Sequence, residues 1–418
     1  MTGSFARGAC PSLLAPMQTG DGLLVRILPT GPIPLRAFAG LCAAALTQGN
    51  GTMEISARGS VQIRGLTPVT APLFAAAVSA LKLDIGDGVP VLADPLPGDP
   101  TTLIDANVLA AELRNAIASA ALALAPTLSV IVDGGGTLHL DALYADIRVR
   151  AGATADGPLL HLAVAGDGAT ASPLGEVAPE EARPAVLRLL AAIAAHGAQV
   201  RAADVLLRFG IAAFQEAIGT RVALAPSLLP RLPAEMVGTH FLKDELYALG
   251  VGLSFGHAKA ETLRALTDIA RAHGGLWARP APDRSLLLGP FKRTTIKTMR
   301  DEARRLGFAV DPSDARRRIV ACPGAPSCAS GLIAARTIAA EIAKSLELPG
   351  HGVAVHVSGC AKGCAHPAAT RLTIVGTARG CGVVRDGTAQ TTPSSYVVPT
   401  SLAEEIDRII ETQEVVDA

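Results

Sequence analysis

The strongest constraint on this chain is that it can be laid over itself. The segment GLLVRILPTGPIPLRAFAGLCAAALTQGNGTMEISARGSVQIRGL, from Gly22, resembles ELYALGVGLSFGHAKAETLRALTDIARAHGGLWARPAPDRSLLLGPF, from Glu245. Each reads strand, turn, amphipathic helix, glycine pair, strand, turn, strand. Gly51 falls on Gly275 and Gly65 on Gly289, a shift of 224. A second pair follows: VLADPLPGDPTTLIDANVLAAELRNAI, from Val91, resembles IVACPGAPSCASGLIAARTIAAEIAKSL, from Ile319. TLSVIVDGGGTLHL, from Thr127, then resembles VAVHVSGCAKGCAHP, from Val353. The order is A-B-A′-B′. A period of about half the 418 residues is a duplication, not a solenoid with its repeat of roughly 20–50. Two similar halves pack about a pseudo-twofold axis and favour a ligand between them. The expected units are 1–75, 76–235, 236–305 and 306–418.

The composition limits the partner. Thirty-seven Lys and Arg balance 37 Asp and Glu, so no basic excess exists to neutralise a nucleic acid. With 49% hydrophobic and 18% charged residues, the chain is neither disordered nor short of core. The longest uncharged apolar stretch, Ala116 to Val132, is alanine-rich and interrupted by Pro126, which argues against a membrane span. The first residues, MTGSFARGACPSLLAP, lack a long apolar run, so no signal peptide is expected. A cytoplasmic protein with reduced thiols follows as the expectation.

Four of the seven cysteines fall in two pairs, Cys322-x5-Cys328 and Cys360-x3-Cys364. Both pairs follow short strand-like runs and sit in glycine-rich loops. Four thiolates suit an iron–sulfur cluster or a tetrahedral zinc. The five-residue gap is wide for structural zinc, so a cluster is favoured, with zinc and unliganded buried thiols as the alternatives. Cys42 shares a helical face with Phe38, Leu41 and Ala45 and reads as core. Cys381 reads as structural, and Cys10 as either structural or close to a site.

The repeat sharpens this. The position of Cys322 in B is Asp94, and the Cys360 loop is Asp133-Gly134-Gly135-Gly136, so one cluster is expected. In A the asymmetry reverses: Arg26, Arg58 and Arg64 fall on Gly250, Pro282 and Leu288 of A′. Arginines of A and thiols of B′ therefore point to one composite site.

These residues resemble a family. Cys-x5-Cys followed by Cys-x3-Cys is similar to the sirohaem and four-iron cluster signature of sulfite and nitrite reductases. A and A′ resemble that family's ferredoxin-like half-domains. Within the superfamily, CPSLLAPMQTGDGLLVR, SARGSVQIRGL, VDGGG and SGCAKGCAHPAATRLTIVG most resemble the precorrin-3B synthase family of cobalamin biosynthesis. The resemblance covers nearly the whole chain and is weakest from about 151 to 240. It implies an α+β, pseudo-twofold duplicated nitrite/sulfite reductase-like fold: two ferredoxin-like half-domains and two α/β subdomains. It implies that Cys322, Cys328, Cys360 and Cys364 hold a [4Fe–4S] cluster, and that Arg26 and Arg58 grip macrocycle carboxylates. Arg64 fits substrate binding or structure equally. Lys362 and His366 flank the cluster loop and are the catalytic candidates, His366 with a structural role as the alternative.

One departure separates the branches. The reductases carry a Lys-x-Lys pair on the strand that here reads PTLSVIV, from Pro126, with no Lys or Arg. A bound oxyanion needs positive charge there. The implied activity is therefore mono-oxygenation of precorrin-3A by O2. The alternatives are a sirohaem-dependent sulfite or nitrite reductase and a non-catalytic iron–sulfur scaffold. GDGATASPLG at Gly166 and GVGLSFG at Gly250 lack the strand-to-helix context of a dinucleotide loop. Electrons are then expected from a separate NAD(P)H-dependent or ferredoxin-type donor. PEEARPAVLRLLAAIAAHG, from Pro179, reads as a helix, and SLAEEIDRII, from Ser401, as a capped one.

Overall fold

A computed structural model of the chain describes residues 11–219, 231–345 and 352–398. Cys10 and the SLAEEIDRII segment lie outside the described residues. The first unit runs β1 (Met17–Thr19), β2 (Gly22–Ile27), β3 (Ile33–Pro34), α1 (Leu35–Gln48), β4 (Thr52–Ile55), β5 (Val61–Leu66) and α2 (Thr70–Ala80). The second runs β6 (Val91–Ala93), α3 (Ala106–Ala120), β7 (Val130–Asp133), β8 (Ala145–Thr154), β9 (Gly157–Gly166) and β10 (Ser172–Val177). Three helices close it: α4 (Pro179–Ala194), α5 (Ala202–Phe209) and α6 (Ala212–Ile218). The third repeats the first: β11 (Gly238–Phe241), β12 (Leu246–Gly252), β13 (His257–Lys259), α7 (Ala260–Ala272), β14 (Trp277–Ala281), β15 (Ser285–Lys292) and α8 (Arg293–Arg305). The fourth repeats the second: β16 (Ile319–Ala321), α9 (Ala335–Ser345), β17 (Val355–Ser358), β18 (Thr370–Thr377), β19 (Gly380–Gly387) and β20 (Ser395–Val397).

The four sheets show the duplication in their pairing. The first has order β1-β2-β5-β4-β13 and the third β11-β12-β15-β14-β3, so each ferredoxin-like unit takes its edge strand from the other. This exchange is symmetric down to single bonds: Leu35 N–H donates to Leu276 O, and Ala260 N–H to Gly51 O. The second and fourth sheets share one topology. Strands β6, β7 and β8 are parallel as are β16, β17 and β18, and each sheet ends in an antiparallel meander. The stretch from 151 to 240, where the resemblance is weakest, contains β9, β10 and α4 to α6. The boundary expected at 75/76 falls inside α2, whose Phe74 and Val78 are buried in the core of the first and third units.

The repeat register differs from the sequence overlay by one residue after β2. Leu23 pairs with Leu66 as Tyr247 pairs with Phe291, and Val25 with Ile63 as Leu249 with Leu288. The shift is 224 on β2 and 225 from α1 onward, because the turn before the helix gains a residue. Arg64 therefore stands at the position of Gly289, on a shared β-bulge, and Arg58 at that of Asp283. Arg26 keeps Gly250 as its counterpart.

The first and third units share one core, centred on α1 and α7. Phe38, Leu41, Cys42 and Ala45 are all fully buried there with Leu263, Leu266 and Ala270. The i, i+3, i+4, i+7 spacing thus marked the buried face correctly. Burial drives the Cys42 thiol up to about 12, which keeps it neutral and inert. Phe38→Ala is expected to cost about 3–5 kcal/mol through lost contacts and a residual cavity. A urea melt checks this, with the midpoint falling and the slope unchanged.

Candidate metal centre and anion cleft

Parallel strands β16 and β17 end level with each other, Ala321 beside Val357. Cys322 therefore emerges beside Ser358 and Gly359, with Cys360 one step further. Gly359 N–H donates to Cys322 Sγ at 3.0 Å, and Leu332 N–H donates to Gly359 O at 2.7 Å. A side chain at Gly359 would put a Cβ 2.9 Å from Gly324 Cα and 3.4 Å from Cys322 Sγ, so the approach of the two loops requires glycine. Cys328 lies mid-loop, its N–H bonded to Gly324 O at 2.7 Å. Burial, then the nearby Cys360, Cys322 and Cys328, raise the Cys364 thiol above its ordinary value. The four thiols thus stand on two neighbouring loops, near enough for the other three to act on Cys364.

The donor set fits an iron–sulfur cluster. All four donors are soft sulfur, and a cationic Lys362 stands on the same loop. Among the described residues, no three Cys, His, Asp or Glu side chains lie close enough together to hold a single ion.

The second unit has the same loops without the thiols. Asp94 stands where Cys322 does, and its Oδ2 accepts from Gly134 N–H at 2.7 Å. Leu103 N–H donates to Gly134 O at 2.8 Å, matching Leu332 and Gly359. Asp99 reaches across to Thr137 N–H at 2.6 Å. Asp133 and Asp141 share Arg231. Carboxylate hydrogen bonds hold these loops together where the fourth unit offers sulfur. Burial first, then Asp133, raises the Asp94 carboxyl well above its usual range.

The polarity is also one-sided. Arg26 and Glu54 both pair with Gln62, so the three form one polar row across the first sheet. Their counterparts are Gly250, Leu287 and Arg279. That face of the third sheet is covered by Leu96, Leu138, Met236, Leu242, Ala248 and Ala281. A Cβ at Gly250 would meet Met236 O at 1.8 Å. The matching face of the third sheet is therefore packed with apolar side chains, where the first sheet keeps a polar row.

The arginines divide by role. Arg64 is nearly buried and forms a fork with Asp21, Nε to Oδ2 at 3.0 Å and Nη2 to Oδ1 at 2.9 Å. Its Nη2 also donates to Ser327 O at 2.5 Å. Its guanidinium is committed to the loop carrying Cys328. Gly20 packs on the same loop, where a Cβ would meet Pro326 O and Ala329 N at 2.7 Å. Arg336 joins α9 to Glu54 at 2.9 Å, and Arg284 Nη2 donates to Ala365 O at 3.0 Å. Arg58 reaches the second unit: Nη1 donates to Tyr144 O at 2.8 Å and Nη2 to Ser129 Oγ at 3.0 Å. Burial, then repulsion from Arg201 and Arg26, lowers the Arg58 pKa. Arg26 makes no hydrogen bond or ion pair with a described residue.

Lys362 Nζ donates to Ser330 Oγ at 2.9 Å, linking the two thiol loops. His366 lies edge-on to His356, ring centroids 5.9 Å apart. His356 is fully buried, and burial pulls its pKa down to about 4, leaving it neutral. Sequence reasoning missed His356, Arg201, Arg284 and Arg336. The alternation of VAVHVSG puts His356 on the face of β17 opposite the core residues Val355 and Val357, so its burial was not legible there; the arginines carry no motif.

The duplicated ferredoxin-like and α/β units give the chain the fold of the nitrite/sulfite reductase class. The chain shares the fold of the Mycobacterium tuberculosis NirA protein, with a TM-score of 0.72 over 93% of this chain and 80% of that one, at 20% identity. It is 24% identical to the ferredoxin–nitrite reductase of Synechococcus elongatus, over 78% of this chain and 70% of that protein. No family model matches. A precorrin-3B synthase from a Sinorhizobium species is 34% identical over 411 residues, covering 97% of this chain and 88% of the relative. The chain belongs to the precorrin-3B synthase family and is an oxidoreductase.

Proposed function

We propose that the chain converts precorrin-3A to precorrin-3B in cobalamin biosynthesis, using O2 and an external reductant. The observation that carries this reading is that Arg26 and Arg58 stand close enough to repel each other beside the first sheet, while Arg64 and Arg336 tie that sheet to the Cys328 loop and to α9. No Lys or Arg stands on the approach to β7, so the oxyanion contacts of the reductase branch are missing there. A tetrapyrrole with several carboxylates supplies anions that match guanidinium forks. Arg26 and Arg58 bind and orient those carboxylates. Cys322, Cys328, Cys360 and Cys364 would hold a [4Fe–4S] cluster, which supplies single electrons when bound. Lys362 and His366 border the cluster loop, where they position substrate or hold a proton. One oxygen atom enters as the hydroxyl on a meso carbon, a ring acetate closes to a lactone, and the other oxygen leaves as water. Two electrons come from the donor. Both glycine-rich stretches lie at strand ends without a strand-to-helix loop, which supports a separate NAD(P)H-dependent or ferredoxin-type donor. Among the described residues no helix is long and apolar enough to cross a membrane. A cytoplasmic location, where thiols stay reduced, fits this reading.

Protein prepared without air should contain about four iron and four sulfide per chain. Given precorrin-3A, reductant and isotopically heavy O2, it should yield a product with one labelled oxygen. A sirohaem absorption band with turnover of sulfite or nitrite would overturn the reading, and bound iron without product would leave only a redox scaffold.

A further inference from the structure

Thr127 and Ser129 lie two residues apart on the approach to β7, where the reductases carry cations. Each accepts a hydrogen bond from an arginine brought in from elsewhere. Arg58 Nη2 donates to Ser129 Oγ, and Arg201 Nη1 donates to Thr127 Oγ1 at 3.0 Å. Arg201 precedes α5, and its guanidinium is aimed by Asp146, which is fully buried. Nε meets Oδ1 at 2.7 Å and Nη2 meets Oδ2 at 2.6 Å. Ala202 N–H and Ser129 N–H fill the remaining lone pairs of Asp146, at 3.0 and 2.9 Å.

This arrangement exceeds what a helix start requires. A guanidinium carries five N–H donors, and these contacts use three. The side chain of Arg201 keeps 28% of its surface exposed, so the rest face outward. Arg58 and Arg26 stand close enough for mutual repulsion. The acids near Arg201 are Asp146, already saturated, and Asp204, whose carboxylate accepts from Arg201 N–H at 2.9 Å. Three guanidiniums against two engaged carboxylates leave a cationic surplus that an anionic ligand relieves.

We infer that Arg201 is a third guanidinium gripping a substrate carboxylate, with Asp146 as its positioning residue. It replaces in space, though not in sequence, the cations missing from the β7 approach. The inference rests on the tetrapyrrole reading above.

Fluorescence titration of the full chain with two stable probes tests it: an octacarboxylate porphyrin (uroporphyrin III) and a tetracarboxylate one (coproporphyrin III). Arg201→Gln should weaken uroporphyrin binding about tenfold, the effect of one charge-assisted contact, and flatten its salt dependence. Arg201→Lys, which keeps the charge but loses the fork, should weaken it about threefold. Arg271→Gln, on the exposed face of α7, serves as control and should change nothing. Should the Gln variant fail to fold, as judged by its melt, the Lys variant and Thr127→Val decide. Unchanged affinity and salt slope in the folded variants, with the parent binding normally, would sink the role of Arg201 alone. A parent chain that binds neither porphyrin would instead overturn the tetrapyrrole reading.

Discussion

Cys364→Ser protein, purified without air, is expected to hold less than half the iron and sulfide of its parent and to lose turnover by more than about a hundredfold. The argument starts from the loops. Cys364 is the most exposed of the four thiols, and its loop returns to the sheet only at β18. Nothing in the second unit's design replaces it: there Asp94 and Asp99 close the loops by accepting backbone N–H groups, whereas Cys328 and Cys364 make no such cross-loop bond among the described residues. Cys322 accepts from Gly359 N–H as Asp94 does from Gly134 N–H, so a bound cluster would add the cross-link that Asp99 makes in the second unit. Metal binding is linked to folding, so the melt of the variant should also broaden and fall. Cys42→Ala is the matched control. Its thiol is wholly buried in the shared core, so that variant should keep its iron and lose only about 1–2 kcal/mol. Full iron content in Cys364→Ser, or equal iron loss in Cys42→Ala, would contradict the cluster assignment.

Much of this organisation is legible from the residues because duplication leaves two copies to compare. The α1 face and the uneven distribution of thiols needed only spacing and periodicity. The one-residue change in register was hidden, since a turn can absorb an insertion without altering either strand's pattern. It moved Arg58 from Pro282 to Asp283 and Arg64 from Leu288 to Gly289. The apolar packing on the matching face of the third sheet was also hidden. Leu96, Leu138 and Met236 come from three distant segments, and no local pattern says that they meet. Arg201 was lost for a different reason: the stretch from 151 to 240 has no counterpart strong enough to overlay. Its strands β9 and β10 match β19 and β20 only in topology.

Arg64 offers the second large effect, and a test of how the halves are fastened. Arg64→Met is expected to destabilise the chain by about 3–5 kcal/mol at neutral pH, because it leaves the Asp21 and Glu54 carboxylates without their shared cation. Burial alone would raise the Asp21 carboxyl, but the Arg64 hydrogen bonds and charge outweigh it and bring the group below its ordinary 3.8. A carboxyl depressed in the folded state stabilises above its unfolded value and loses that contribution as pH falls through the folded one. In the variant the balance reverses, since burial then acts without the guanidinium. The stability gap between parent and variant should thus be widest near neutrality and narrow below about pH 4. Urea melts at both pH values measure it. Adding Asp21→Asn should recover part of the loss, as a coupled pair requires. The Ser327 carbonyl also loses its donor, so the Cys328 loop should loosen and iron should leave faster under a chelator. A variant with the parent's melt at both pH values but weakened porphyrin binding would return Arg64 to the substrate. Parallel melts with a constant gap would show that the fork with Asp21 contributes nothing specific.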